Sequence, residues 1–197
     1  MSDAVAGPDG RLRCPWALSA PEYVAYHDDE WGRPVQDDRA MFERLSLEAF
    51  QSGLSWLIIL RKREGFRAAF DNFDLSAVAS YGERDRARLL ADAAIVRNRA
   101  KIDATIANAQ AALDLPDGLL AYVHGYAPDD GVPAPSALSE VRAVSPESTA
   151  LAKDLRKRGF RFVGPTTLYA LMQATGMVDD HLADCWRRGT TAASVTA

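Results

Sequence analysis

Apolar residues recur at helical spacing along almost the whole chain, and no run alternates apolar and polar for more than a few residues. Such a pattern leaves helix packed on helix as the way to bury a core. Met41, Phe42, Leu45 and Phe50 mark one face of a helix that Asp37 or Asp38 caps, that runs through Gln51 and that Gly53 ends. Ile102, Ile106, Ala109 and Leu113 mark another over Asn98–Asp114. Shorter helices are expected over Pro21–His27 with Ser19 as candidate cap, Trp56–Lys62, Leu75–Ala79, Glu83–Asp92, Ser148–Arg158 and Thr167–Thr175. Glu64–Phe70 either extends the Trp56 helix or begins anew. Pro116, Pro128, Pro133, Pro135 and Pro146, with several glycines, make 116–146 a loop-rich excursion between helices. The expected class is all-α. Residues 11–188 form one domain, in which two helical lobes share one core; 1–10 are a disordered lead-in and 189–197 a flexible tail.

Charge narrows the partners less than its sum suggests. The net charge of −4 argues against a phosphate-rich partner, but the charges are unevenly spread. Arg61-Lys62-Arg63 is one basic cluster, and Lys153, Arg156, Lys157, Arg158 and Arg161 are another; either can be a solvated face. The second cluster flanks Gly159 to Gly164, a short link between two helices. Gly164 opens the second of these helices, whose first amides are unpaired and carry partial positive charge. Such a corner can bind a DNA phosphate, or it can be an ordinary helix–helix turn. The longest apolar stretch, Leu54 to Leu60, is interrupted by Ser55 and stops at Arg61, too short for a membrane span. With no apolar core in the first ten residues to suggest a signal peptide, the expected location is the cytoplasm.

The chain has two cysteines and three histidines. Cys14 is followed by His27 after twelve residues, and His181 by Cys185 after three. Positions i and i+4 share a helix face, so His181 and Cys185 can grip one ion together. Two Cys and two His complete a tetrahedral zinc set with no open position for water, which would make the metal structural and tie the two ends of the chain together. The alternative is unpaired thiols and ordinary histidines. His124 has no such neighbour.

These blocks together resemble the DNA-3-methyladenine glycosylase I family of the helix-hairpin-helix glycosylase superfamily. The matching stretches are Arg13-Cys14-Pro15-Trp16, Tyr23 to Gly32, Leu47 to Trp56, Arg97 to Ile102, Lys157 to Phe160, Phe162-Val163-Gly164 and Asp180-His181. They run in order from about residue 12 to 186. The resemblance implies one structural zinc ion per chain on Cys14, His27, His181 and Cys185. It also implies a flipped-base pocket of Trp16, Tyr23, Tyr26, Trp31, Glu48 and Trp56. In that reading Glu48 accepts a hydrogen bond from the exocyclic amine, Tyr26 is a second polar partner and Trp56 is a stacking wall. An aromatic pocket suits 3-methyladenine, which is cationic while still in DNA. Leu54, beside Gly53, would fill the gap left by the base, while Gly164 and Arg161 would contact the backbone. The implied partner is double-stranded DNA carrying alkylated adenine, and monomeric action is the simplest expectation. No lysine is suggested as a Schiff-base nucleophile, so strand cleavage is not expected; acceptance of 3-methylguanine is left open.

Asp179 stands where the wider superfamily has a catalytic Asp, two residues before a histidine. It is read here first as a cap near the zinc ligands, because a cationic base needs little help to leave. Two rival readings remain: a helix-hairpin-helix DNA-binding protein without catalysis, and a zinc enzyme acting on a small molecule. The second requires an open metal position that a Cys2His2 set does not offer.

Overall fold

The computed structural model describes residues 2–128 and 133–190. Helices dominate: α1 (Pro21–Asp29), α2 (Asp38–Gln51), α3 (Trp56–Ala69), α4 (Leu75–Ala79), α5 (Glu83–Ala91), α6 (Arg99–Leu113), α7 (Gly118–His124), α8 (Pro146–Lys157) and α9 (Pro165–Ala174). Four of them begin at a cap whose side chain accepts an otherwise unpaired amide. Asp37 accepts from the Ala40 amide at 2.7 Å, Asp74 from Ala77 at 2.8 Å, and Asn98 from Lys101 at 3.1 Å. Ser145 and Ser148 cap α8 reciprocally, each hydroxyl taking the other's amide.

Several expectations need correction. Helix α1 is capped by Ala20, not Ser19; the Ser19 hydroxyl instead donates to the Trp16 carbonyl at 2.7 Å. Helix α3 is continuous through Ala69. Helices α8 and α9 start at Pro146 and Pro165, two residues before Ser148 and Thr167, because proline suits the first helical position. Inside the 116–146 excursion lies α7, whose Leu119 and Val123 are fully buried. Its start is fixed from α2: Asp38 accepts the Leu120 amide at 2.8 Å, and its carboxylate packs so close to Gly118 that a side chain there would collide. Gly118 also holds φ +81°, which glycine adopts freely.

Residues 2–10, expected as a disordered lead-in, are instead placed. β1 (Val5–Ala6) pairs antiparallel with β2 (Leu12–Arg13), and the Asp3 amide donates to the Ser136 carbonyl at 2.8 Å. Of the expected tail, 191–197 lie outside the described residues, whereas Gly189 donates its amide to Asp179 at 2.9 Å.

One continuous core joins α2 to α9, with Phe42, Phe50, Phe66, Phe70 and Phe73 wholly buried in it. A small second cluster of Cys14, Leu182 and Cys185 closes the molecule where its two ends meet. There the Trp186 amide donates to the Leu12 carbonyl at 2.9 Å. Among the described residues no helix is long and apolar enough to cross a membrane.

Candidate functional site

Where α1, α2, the start of α3 and the last segment of the chain converge, they enclose a cavity of about 440 Å³. That volume lies in the range of small-molecule sites, roughly 300–1,000 Å³. Trp16, Tyr23, Tyr26, Trp31, Glu48 and Trp56 all line it, so the structure brings the six expected pocket residues to one place. Helical spacing explains part of this, since Tyr23 and Tyr26 stand one turn apart on α1. Their rings form a near-continuous wall. Trp16 meets Tyr23 edge-on at 5.7 Å between centroids and Trp31 at 5.1 Å, and Tyr26 lies 5.3 Å from Trp56. The indole Nε1 of Trp56 is buried without a hydrogen-bond partner among the described residues.

Glu48 sits on α2 between Leu47 and Ala49 and is only 6% exposed. Burial pushes its carboxyl up to about 8, with the Arg44 guanidinium pulling more weakly the other way. Tyr26 is 3% exposed, and its phenol is pushed well above the ordinary tyrosine range by burial first and by Glu48 second. At neutral pH the cavity therefore presents a protonated acid and a neutral phenol on an aromatic wall.

Gln51, Gln173 and Asp180 also line the cavity and were missed in the sequence. Asp180 accepts from the Tyr169 hydroxyl at 2.8 Å and from Gln173 Nε2 at 2.7 Å, both on Oδ2. Its neighbour Asp179 does not line the cavity. It accepts the amides of His181 at 3.2 Å and Gly189 at 2.9 Å and pairs with Arg188 at 3.5 Å, so it acts as a cap. The two adjacent aspartates face opposite ways, which local pattern does not disclose.

Behind the cavity, Cys14, His27, His181 and Cys185 are all buried, and their ligand atoms lie within 4.8 Å of one another. His27 Nε2 is 3.2 Å from His181 Nδ1 and 3.4 Å from Cys185 Sγ, while His181 Nδ1 is 3.6 Å from Cys185 Sγ and 3.9 Å from Cys14 Sγ. This group can hold a metal ion. Around it, Asp28 meets His27 Nδ1 at 2.8 Å and is itself gripped by Arg13, with Nη2–Oδ2 at 2.7 Å. A carboxylate on the far nitrogen fixes the ring so that Nε2 faces the other three ligand atoms. The Trp16 and Trp31 rings pack on the imidazoles of this cluster, 5.2 Å from His27 and 4.6 Å from His181, so the cluster is a floor for the cavity.

Two features form its mouth. Gly53 turns the chain at φ +78° after α2 and leaves Leu54 37% exposed on a shallow cleft shared with Glu48 and Gln51. Thr166 and Thr167, at the start of α9, line the other side of that cleft. Gly164 caps α9, and Arg161 in the preceding corner is exposed, as are Lys153, Arg156, Lys157 and Arg158. Asn108 on α6, unnoticed in the sequence, clamps the corner by accepting the Arg161 amide at 2.7 Å and donating to the Arg161 carbonyl at 3.0 Å. The other basic run is largely tied up: Arg61 pairs with Glu22, Lys62 donates to the Ala93 carbonyl and Arg63 pairs with Glu30.

With this geometry in place, comparison with known proteins is informative. A family model described as methyladenine glycosylase matches residues 16–188. The chain is 44% identical over 180 residues to DNA-3-methyladenine glycosylase 1 of Escherichia coli (strain K12), covering 88% of this chain and 95% of that one. It is 41% identical to DNA-3-methyladenine glycosylase of Haemophilus influenzae, covering 88% and 96%. A crystal structure of 3-methyladenine DNA glycosylase I superposes with a TM-score of 0.85 at 42% identity over 89% of this chain and 99% of that one. A structure of 3-methyladenine DNA glycosylase I from Staphylococcus aureus, describing 3-methyladenine recognition, superposes at 0.84 with 34% identity, covering 89% and 96%.

Proposed function

The chain belongs to the methyladenine glycosylase family, and from that premise we propose that it hydrolyses the N-glycosidic bond of 3-methyladenine in alkylated DNA, opening base-excision repair. The observation that carries this reading is the buried carboxyl of Glu48 inside an aromatic cavity of purine-accepting size. N3-methylation leaves adenine positively charged while it is still joined to the sugar, so the bond is already weakened and the protein's task is to select and hold the base.

Base flipping brings the purine between the rings, where π faces attract a flat cation. Desolvation keeps Glu48 protonated before the base arrives, and the incoming positive charge then favours its ionised form. Ionised Glu48 accepts from the exocyclic amine, and the Tyr26 hydroxyl and the unpartnered Trp56 Nε1 supply further polar contacts. Asp180, held by Tyr169 and Gln173, adds a second carboxylate to the wall. These groups hold the purine while water attacks the sugar. No lysine lines the cavity among the described residues, which fits hydrolysis without a Schiff base.

Leu54 enters the stack in place of the base, and the corner ending at Gly164, with Arg161 beside it, receives backbone phosphate. The ion that the Cys14, His27, His181 and Cys185 donors fit is zinc. Four of their six separations, 3.2–3.9 Å, match the edges of a tetrahedron with bonds of roughly 2.0–2.3 Å, and the others lie within 4.8 Å. Four protein donors leave no place for water, so bound zinc supplies structure and no chemistry on the base.

Purified protein incubated with methylated duplex DNA should release free 3-methyladenine, measured chromatographically. Binding of the DNA without release would overturn the catalytic reading.

A further inference from the structure

Lysine in the first turn of a helix faces the positive end of the helix dipole, an unfavourable place for a cation. Lys101 occupies such a place: it lies two residues inside the start of α6, and its amide is taken by the Asn98 cap. It is nonetheless only 7% exposed, and burial lowers its pKa. Its hydrogen-bond partners are neutral. Nζ donates to the Phe50 carbonyl at 2.8 Å and to the Ser52 carbonyl at 2.6 Å. Those are carbonyls at the negative end of α2, on the residues immediately before the Gly53–Leu54 turn. The intervening Gln51 carbonyl takes the Leu54 amide at 2.6 Å. The last three carbonyls before the turn are therefore all engaged, two of them by one ammonium reaching across from another helix.

We propose that Lys101 is a positioning residue for base flipping: it locks the end of α2 so that Leu54 stands as a rigid wedge at the mouth of the cavity. The proposal rests on the reading of Leu54 as the residue that fills the vacated stack. A wedge must resist being pushed back while a base is unstacked, a step costing a few kcal/mol. A glycine turn alone is soft backbone, since glycine has the most conformations open to it. The ammonium removes that softness without touching substrate.

The test compares excision from methylated duplex with excision from the same DNA denatured in the cold with formamide and desalted, since heat would itself release the cationic base; in the denatured strands no partner base or intact stack resists flipping. Binding of free 3-methyladenine, followed by tryptophan fluorescence, is measured alongside. Lys101→Met should lower the single-turnover rate on duplex about tenfold or more, with free-base binding and the denatured-DNA rate within about twofold of wild type. Lys101→Arg, which can still donate to both carbonyls, should recover most of the duplex rate. Leu54→Ala should show the same duplex-specific loss, and the double variant should be no worse than Leu54→Ala alone, because the two act on one step. If Leu54→Ala shows the loss and Lys101→Met does not, or if the two losses multiply, the role of Lys101 is overturned. If Lys101→Met loses free-base binding in step with excision, its role is structural only. If Leu54→Ala has no duplex-specific loss, the wedge reading itself fails and the Lys101 role with it, while base release by the wild-type protein still stands.

Discussion

Two acidic residues near the cavity sit in different surroundings, and the proposed reading gives them different roles. Glu48 lies buried in the cavity wall, whereas Asp179 caps the segment around His181 and Gly189 outside it. Glu48→Ala should therefore cost more single-turnover activity on 3-methyladenine DNA than Asp179→Asn, and the opposite ranking would refute the assignment. Burial of Glu48 also has a pH signature. In the unfolded chain the carboxyl titrates near 4.5, and in the folded cavity at about 8. Between those values the folded protein holds a proton that the unfolded chain releases, so folding stability falls as pH rises through that window and levels off above it. Glu48→Gln carries no such proton. Its stability advantage over wild type should be small at pH 5 and widen steadily to pH 8, read from denaturant melts in matched buffers. An advantage that stays constant across that range would mean the carboxyl is solvated.

At the scale of elements, the hairpin between α8 and α9 depends on a side chain from α6. Asn108 spans the Arg161 amide and carbonyl, and its loss leaves both backbone groups without their partner. Asn108→Ala should destabilise the protein by about 1–3 kcal/mol and weaken duplex binding more than free-base binding. Arg161→Ala should leave folding intact and reduce the salt dependence of duplex binding by about one phosphate contact. An unchanged salt slope would move the backbone contact elsewhere. Helices of this kind were largely legible in the sequence, because Asp37 and Asn98 are local caps and the stripes Met41 to Phe50 and Ile102 to Ala109 are long enough to show their period; Leu113, expected on the second stripe, is instead 51% exposed at the helix end. Helix α7 was not: its seven residues lie among prolines, and its start is set by Asp38 from a distant helix. The six pocket side chains could be named from the resemblance, but Asp180, Asn108 and Lys101 could not. Each acts through a partner far along the chain or through the direction it faces.

At the scale of the whole molecule, the fold is closed by a cluster whose halves are 154 residues apart, His27 from the first helix and His181 near the end. The cluster also supports the cavity, since Trp16 and Trp31 rest on its imidazoles. If zinc fills it, metal and base pocket share a wall without sharing chemistry. Removing the ion leaves two thiols and two imidazoles buried against one another and frees the chain ends. Apparent binding free energies for structural zinc, about 10–16 kcal/mol in small peptides, rival the total stability of a domain. Even a fraction of that, at roughly 2–4 °C per kcal/mol for a chain of this size, predicts a melting point lowered by on the order of 10 °C or more after exhaustive chelation. Elemental analysis should find one zinc per chain, and stoichiometric zinc should restore the melting point. The decisive comparison is made below the apo melting point, where the metal-free protein still folds. There the single-turnover excision rate per folded molecule should stay within a few-fold of the zinc-loaded protein. A rate that collapses there while circular dichroism shows the metal-free protein still folded would show that the ion takes part in the chemistry.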